Sequence, residues 1–190
     1  MSGVVKAWVF AVAVVVGLGS ISAKAANAAS PWAVQVAARS WQHIEDFSSA
    51  PGETKEAFLT RIAPALRAYS DKTGFEACGA IGTDGKGAFA VVLGSSRSHI
   101  ACVSYHNRVA AGMVSTGETI HSHGTTGSFN FNRVDKALYG DGEKVGIILM
   151  PAHSQVLDRF SPTDLAGGPG YLATPTGLIY QAGGKVAQPQ

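Results

Sequence analysis

The hydrophobic pattern changes period near residue 75. Ahead of that point, apolar side chains recur at the spacing of a helix face. Trp32, Val36, Ala37 and Trp41 predict a short leading helix within residues 29–50, and Phe58, Ile62, Ala65, Leu66 and Tyr69 mark one face of a second helix after the Pro51-Gly52 turn. Glu53 and Glu56 lie near the start of the second helix, where its dipole favours acids, and Gly74 ends it. Pro64 falls inside the pattern and predicts a kink or a break.

From Phe75 onward the chain reads as short β-branched runs separated by glycine. Strands are predicted over 77–81, 88–93, 99–104, 118–123, 145–150, 170–174 and 178–181. Val134, Ala137 and Leu138 predict one short helix, and residues 182–190 read as a flexible tail. The fold class that follows is α+β: a mixed β-sheet packed with helices, in one domain.

One stretch stands outside both patterns. Lys6 is followed by the apolar run 7–16 and then by small and polar residues, the layout of a cleaved secretory signal over residues 1–25. Ala23-Lys24-Ala25 and Ala26-Asn27-Ala28 both offer a small-x-small pattern, so cleavage is expected after 25 or 28. The run is shorter than the roughly 20 residues of a spanning helix, so the mature chain is expected to carry no membrane span and to be exported, periplasmic or secreted.

That expectation changes what composition means. The 190 residues are 46% hydrophobic and only 15% charged, with a net charge of +2. Lys6 and Lys24 both belong to the leader, so its removal leaves 13 basic against 13 acidic residues. A neutral chain without a basic stripe excludes nucleic acid as a first choice of partner. In an oxidising compartment Cys78 and Cys102 read as a disulfide pair, while their apolar surroundings leave buried free thiols as the alternative.

Metal-binding side chains concentrate in Glu118-Thr119-Ile120-His121-Ser122-His123-Gly124. Positions two apart on a strand share a face, so His121 and His123 point the same way and can hold one ion between them. Two imidazoles are not a complete site, and a catalytic zinc takes a third protein ligand. Glu118 lies three residues before His121 and five before His123, which turns it to the other face of a regular strand, as Ser122 is. Isolated His43, His99, His106 and His153 read as surface or hydrogen-bonded histidines.

Downstream, Phe160-Ser161-Pro162-Thr163-Asp164-Leu165 reads as a turn opening a helix, with Ser161 at an N-cap-like position. Upstream, Phe75-Glu76-Ala77-Cys78-Gly79-Ala80-Ile81 looks like a strand with an acid at its edge. Together these segments resemble the JAMM (MPN-type) metalloprotease family, whose motif is an upstream Glu, then His-x-His, then Ser-x-x-Asp. The resemblance runs from about Phe75 to Tyr180 and includes the hairpin-like segment 170–179. Gly124 stands where the family usually carries proline, and residues 130–159 read as an insertion between the two halves of the motif.

The resemblance implies an MPN-like domain over 75–181, with cytidine-deaminase-like layering, behind a helical region at 29–74. It implies Zn²⁺ held by His121, His123 and Asp164, Glu76 as the general base, and Ser161 as a donor to the oxyanion. The implied activity is that of an exported zinc-dependent peptidase or amidase, which hydrolyses an amide or isopeptide bond with a metal-activated water. Its substrate would be a peptide, a protein or a cell-wall peptide. Two other classes stay open: a non-catalytic binding domain on the same scaffold, and another metal-dependent hydrolase such as a phosphoesterase.

Overall fold

The structure is a computed structural model that describes residues 30–124, 129–139 and 157–188, together with the backbone of 7–11. The expected strand at 145–150, His153 and most of the insertion lie outside the described residues. Among the described residues thirteen elements follow in order: β1 Ala7–Ala11, α1 Pro31–Ser40, β2 Gln42–Ser48, α2 Lys55–Thr73, β3 Ala77–Thr83, β4 Phe89–Ser95, β5 Ala101–Tyr105, β6 Val114–Ser122, α3 Arg133–Tyr139, α4 Pro162–Ala166, β7 Gly170–Thr174, β8 Gly177–Ala182 and β9 Lys185–Ala187. No described helix is long and apolar enough to cross a membrane.

Seven strands form one sheet in the order β2-β4-β3-β6-β7-β8-β9. Its pairs are antiparallel except β6 with β7. The α+β class read from the hydrophobic pattern is therefore present, as a mostly antiparallel sheet with helices. One face of the sheet is covered by α2, whose Phe58, Leu59, Ile62, Ala63 and Leu66 meet Ala77 and Ile81 of β3, Val91 and Leu93 of β4, Ile120 of β6 and Ala173 of β7. At the opposite face, β5 is tied to β3 by the Cys78–Cys102 disulfide. There β5 packs with α1 and α3 in a second cluster that includes Ala33, Ala37, Ala101, Val103, Val134 and Ala137.

The helix α2 begins at Thr54, whose hydroxyl accepts the Ala57 N–H, and ends at Gly74 with φ 77°. A left-handed residue closing a helix favours glycine, which has no Cβ to clash. The expected break at Pro64 does not occur: α2 runs through it. Pro64 is exposed, so the carbonyl that loses its partner lies on the solvent side, where water replaces it.

Two further expectations change. The segment 29–50 is not helical throughout, because after α1 the chain turns into β2, an edge strand with only Ile44 and Phe47 partly buried against the core. A strand so sparsely apolar has a weak period-2 signal. The end of the chain is not a free tail either. Gly183 and Gly184, with φ of 57° and 77°, make a two-residue hairpin turn that folds β9 back onto β8.

The five residues of β1 fall inside the stretch read as an export signal. They pair antiparallel with β5, from Ala7 opposite Tyr105 to Ala11 opposite Ala101.

The disulfide closes a loop of 24 residues' separation between two strands that are not hydrogen-bonded neighbours. Loop-entropy arithmetic gives about 3.5 kcal/mol for a link of this span. Replacing both cysteines by serine is expected to lower the unfolding free energy by about that amount in urea titrations. An unchanged midpoint would show that the link adds nothing to the fold.

Candidate metal centre

Three elements deliver the centre. His121 is the second-last residue of β6, and His123 lies one residue beyond its end. Ile120 and Ser122 face α2: Ile120 joins its apolar cluster, and Ser122 Oγ bonds the Ser70 hydroxyl at 2.7 Å and donates to the Leu66 carbonyl at 3.3 Å. Strand alternation therefore turns His121 to the opposite face. In the β3–β6 ladder Cys78 lies opposite His121 and Ala77 opposite Ser122, and one further step sets Glu76 beside His123.

The third element is the short helix α4. Ser161 and Asp164 form a reciprocal capping box, in which Ser161 Oγ accepts the Asp164 N–H at 3.2 Å and Asp164 Oδ2 accepts the Ser161 N–H at 2.7 Å. The cap fixes the direction of the Asp164 carboxylate. Its Oδ2 lies 3.1 Å from His123 Nε2, and its Oδ1 lies 3.5 Å from His121 Nε2.

One ligand atom from each of His121, His123 and Asp164 lies within 4.8 Å of the others, and all three residues are buried. A tetrahedral zinc with bonds of about 2.0–2.1 Å holds its ligand atoms about 3.3 Å apart. Each imidazole lies near that distance from one carboxylate oxygen, His123 from Oδ2 at 3.1 Å and His121 from Oδ1 at 3.5 Å, and the three residues together could hold a metal ion.

The electrostatics of the group are those of a desolvated cluster. Burial pushes the Asp164 carboxyl up, but the His121 and His123 imidazoles overcome it and hold the group well below the usual carboxylate range. Burial holds the His121 imidazole below its ordinary value, opposed by the Asp164 charge. A neutral imidazole is the form that ligates.

Glu76 is the outlier. It is 1% exposed, and neither carboxylate oxygen has a hydrogen-bond partner among the described residues. Burial raises its pKa well above the ordinary value, with the charges of Asp164 and Asp135 adding to the rise and Arg67 and the Cys102 backbone offsetting part of it. Its own backbone is pinned from both sides, since its N–H donates to the Ser98 carbonyl at 2.8 Å and its carbonyl accepts from Ser95 Oγ at 2.6 Å. A pinned backbone that carries a buried carboxylate without a well-formed hydrogen bond costs on the order of 1–3 kcal/mol.

The remaining candidates lie elsewhere. Glu118 pairs with Lys55 at 2.6 Å on the α2 side. His99 bonds the buried Asp135 at 2.7 Å, His106 bonds Ser115 at 3.0 Å, and His43 bonds Asp46 at 2.9 Å. None of the three joins the donor group. Gly124 is packed so closely that a Cβ there would lie 2.4 Å from the Gly74 carbonyl oxygen and 2.7 Å from that of His99. The proline usual in the JAMM pattern has no room at this position, and glycine lets two backbone segments close over the end of β6.

Two positioning residues escape sequence reasoning. Arg67, buried on α2, donates to the His123 carbonyl at 2.6 Å and pairs with Asp71 at 2.5 Å, so it holds the chain as it leaves β6. Gln181 of β8, 1% exposed, donates to the Asp164 carbonyl at 2.9 Å and to the Gly168 carbonyl, which clamps α4 to the sheet. The available signal was a polar residue at an inward position: Arg67 four residues after Ala63 on the apolar stripe, and Gln181 within an apolar strand.

The raised pKa of Glu76 carries a signed consequence for the metal-free chain. The unfolded carboxyl ionises near its ordinary value of 4.5, below the folded one, so this residue costs stability progressively as pH rises above that value. Glu76→Gln is therefore expected to raise the urea midpoint of the metal-free protein near pH 8 and to leave it unchanged near pH 4. Equal midpoints at both pH values would contradict a desolvated Glu76. No family model, curated protein or solved structure matches the chain, so what the centre does is argued from its geometry.

Proposed function

We propose that the chain is a zinc-dependent peptidase or amidase of JAMM type, exported and acting on an amide or isopeptide bond of a peptide, protein or cell-wall peptide. The observation that carries this reading is the pairing of a buried three-ligand group with a buried carboxylate that has no well-formed hydrogen bond among the described residues. Zn²⁺ held by His121, His123 and Asp164 would supply Lewis-acid polarisation of a carbonyl and a water acidified to near neutrality. Two imidazoles and one carboxylate are a common donor set for catalytic zinc, which keeps a fourth position for water or substrate.

The chain's own groups then have distinct tasks. Glu76 takes the proton of the attacking water and returns it to the leaving amine. Its placement beside His123 follows from the β3–β6 register. Ser161, set next to the Asp164 carboxylate by the capping box, donates to the oxyanion. Phe160 and Leu172 form an apolar wall beside His121 that keeps bulk water out. Arg67 and Gln181 hold the two histidine- and aspartate-bearing segments at their mutual spacing.

A second reading is favoured by the complete burial of the four residues: Glu76 as a fourth ligand in a closed, structural site on a binding domain. One variant separates the two. Under the hydrolase reading the chain binds about one zinc, and Glu76→Gln keeps it while losing hydrolysis of a peptide and isopeptide library by about 10²–10⁴-fold. Loss of zinc from Glu76→Gln would identify Glu76 as a ligand. Asp164→Asn is expected to weaken zinc binding by at least roughly tenfold under either reading.

A further inference from the structure

A second buried carboxylate lies outside the metal centre, and most of its hydrogen bonds go to one loop. Asp135 of α3 is 0% exposed. Its Oδ1 accepts the Ser98 hydroxyl at 2.6 Å and the His99 N–H at 2.8 Å, while its Oδ2 accepts the Asn132 N–H at 2.9 Å and meets His99 Nδ1 at 2.7 Å. Both oxygens already accept a backbone N–H, so Nδ1 is the donor in the remaining bond, and in the neutral ring that leaves Nε2 as a lone pair. The imidazole packs against Phe129, stacked with centroids 4.2 Å apart, and against Phe75, tilted at 4.6 Å. Its side chain stays 15% exposed, and Nε2 makes no hydrogen bond among the described residues.

The loop that carries His99 is also the one that holds Glu76. The Ser98 carbonyl accepts the Glu76 N–H at 2.8 Å, and Ser95 Oγ donates to the Glu76 carbonyl at 2.6 Å. Phe75 directly precedes Glu76, and Gly124 directly follows His123 and packs so tightly that a Cβ there would lie 2.7 Å from the His99 carbonyl oxygen. His99 is therefore tied, through chain neighbours, to the end of β3 that bears the carboxylate and the end of β6 that bears a metal ligand. The loop is held in a shape it would not choose alone: Arg97 has φ 58°, and Asn132, whose Oδ1 accepts the Val134 and Asp135 N–H groups, donates from Nδ2 to the Arg97 carbonyl at 2.8 Å. Glu76, His121, His123 and Asp164 are 0–1% exposed, whereas the edge of His99 reaches the surface at the same end of the sheet.

We propose that His99 is a substrate-binding residue, its Nε2 accepting a main-chain N–H of a peptide laid across these ends of β3 and β6, with Asp135 as the positioning residue that fixes the ring and its tautomer. The inference rests on the hydrolase reading above and names a contact for its substrate. The lone pair selects the ligand's chemistry. It takes a hydrogen-bond donor, and an extended peptide presents one N–H at every residue other than proline. A carboxylate brings acceptors only, so it gains no bond at Nε2 and meets the Asp135 carboxylate behind the ring. The Phe75 and Phe129 rings beside the imidazole shield the new bond from water, which strengthens it. A carboxylate-oriented imidazole also serves elsewhere as a metal ligand. Here no second group of three donors forms around His99 among the described residues, which leaves the lone pair to a ligand's N–H.

The test uses the zinc-loaded full chain with isotope-labelled histidine and a library of N-acetylated, C-amidated tetrapeptides and isopeptides. Nitrogen NMR spectra near pH 8 are expected to show His99 protonated at Nδ1 and unprotonated at Nε2. Library members are expected to move the Nε2 resonance, and sodium acetate is expected to leave it in place. Two substitutions separate binding from packing. His99→Asn keeps a donor near the Nδ1 position for Asp135 but ends short of Nε2, and is expected to raise KM for a hydrolysed library member about five- to tenfold with kcat and bound zinc unchanged. His99→Gln carries an acceptor out toward the Nε2 position and is expected to recover most of that loss. A histidine kept only for packing would tolerate Asn and gain nothing from Gln. An unchanged KM in His99→Asn would overturn the proposal, as would a proton on Nε2 or an Nε2 resonance that no library member moves. The spectra need no substitution, so they decide the matter even where a variant fails to fold. Movement of Nε2 by library peptides with no hydrolysis by any form would sustain the peptide contact and sink the hydrolase reading instead.

Discussion

The Asp164 carboxylate is the group on which the centre depends. Its two oxygens serve an α-helical cap and face two imidazoles from another element, all at about 1% exposure. An isolated buried carboxylate is strongly unfavourable, and it persists where charge and hydrogen-bond donors surround it. Here the Ser161 N–H supplies one donor and the imidazoles supply the rest. The arrangement therefore couples the fold of α4 to the position of β6. The two elements are far apart in sequence, and the carboxylate joins them.

The sheet makes that coupling possible by dividing its two faces. On one side α2 packs an ordinary apolar core and reserves Ser70 and Arg67 for the end of β6. On the other side β5, α4 and the Phe160–Leu172 wall enclose the ionisable residues. Alternation along β6 sorts its side chains between these environments, Ile120 and Ser122 to the core and His121 to the centre. A shift of one residue in the β3–β6 register would exchange the two sets, so the bonds that Ser122 makes to Ser70 and Leu66 specify the metal face as much as the histidines themselves.

Much of this was legible because the relevant signals are local. The spacing of His121 and His123 predicts a shared face, and Ser161 with Asp164 predicts a helix start, which is the capping box that forms. The turning of Glu118 away from the histidines follows from counting by twos, and it ends in an ion pair with Lys55. What was not legible depends on distant partners. Arg67 and Gln181 act through bonds across 56 and 17 residues of sequence, and no local pattern encodes which carbonyl they meet. The edge strand β2 was hidden because an edge buries few side chains, and Pro64 misled because its position on the solvent face is a tertiary fact.

The central claim is that one zinc ion sits among His121, His123 and Asp164. X-ray absorption at the zinc edge of the zinc-loaded full chain tests it most directly. The account predicts a first shell of nitrogen and oxygen neighbours only, at about 2.0–2.1 Å, with the scattering signature of two imidazoles. A chain that retains no zinc, or a shell with fewer than two imidazoles or with sulfur at about 2.3 Å, would contradict it.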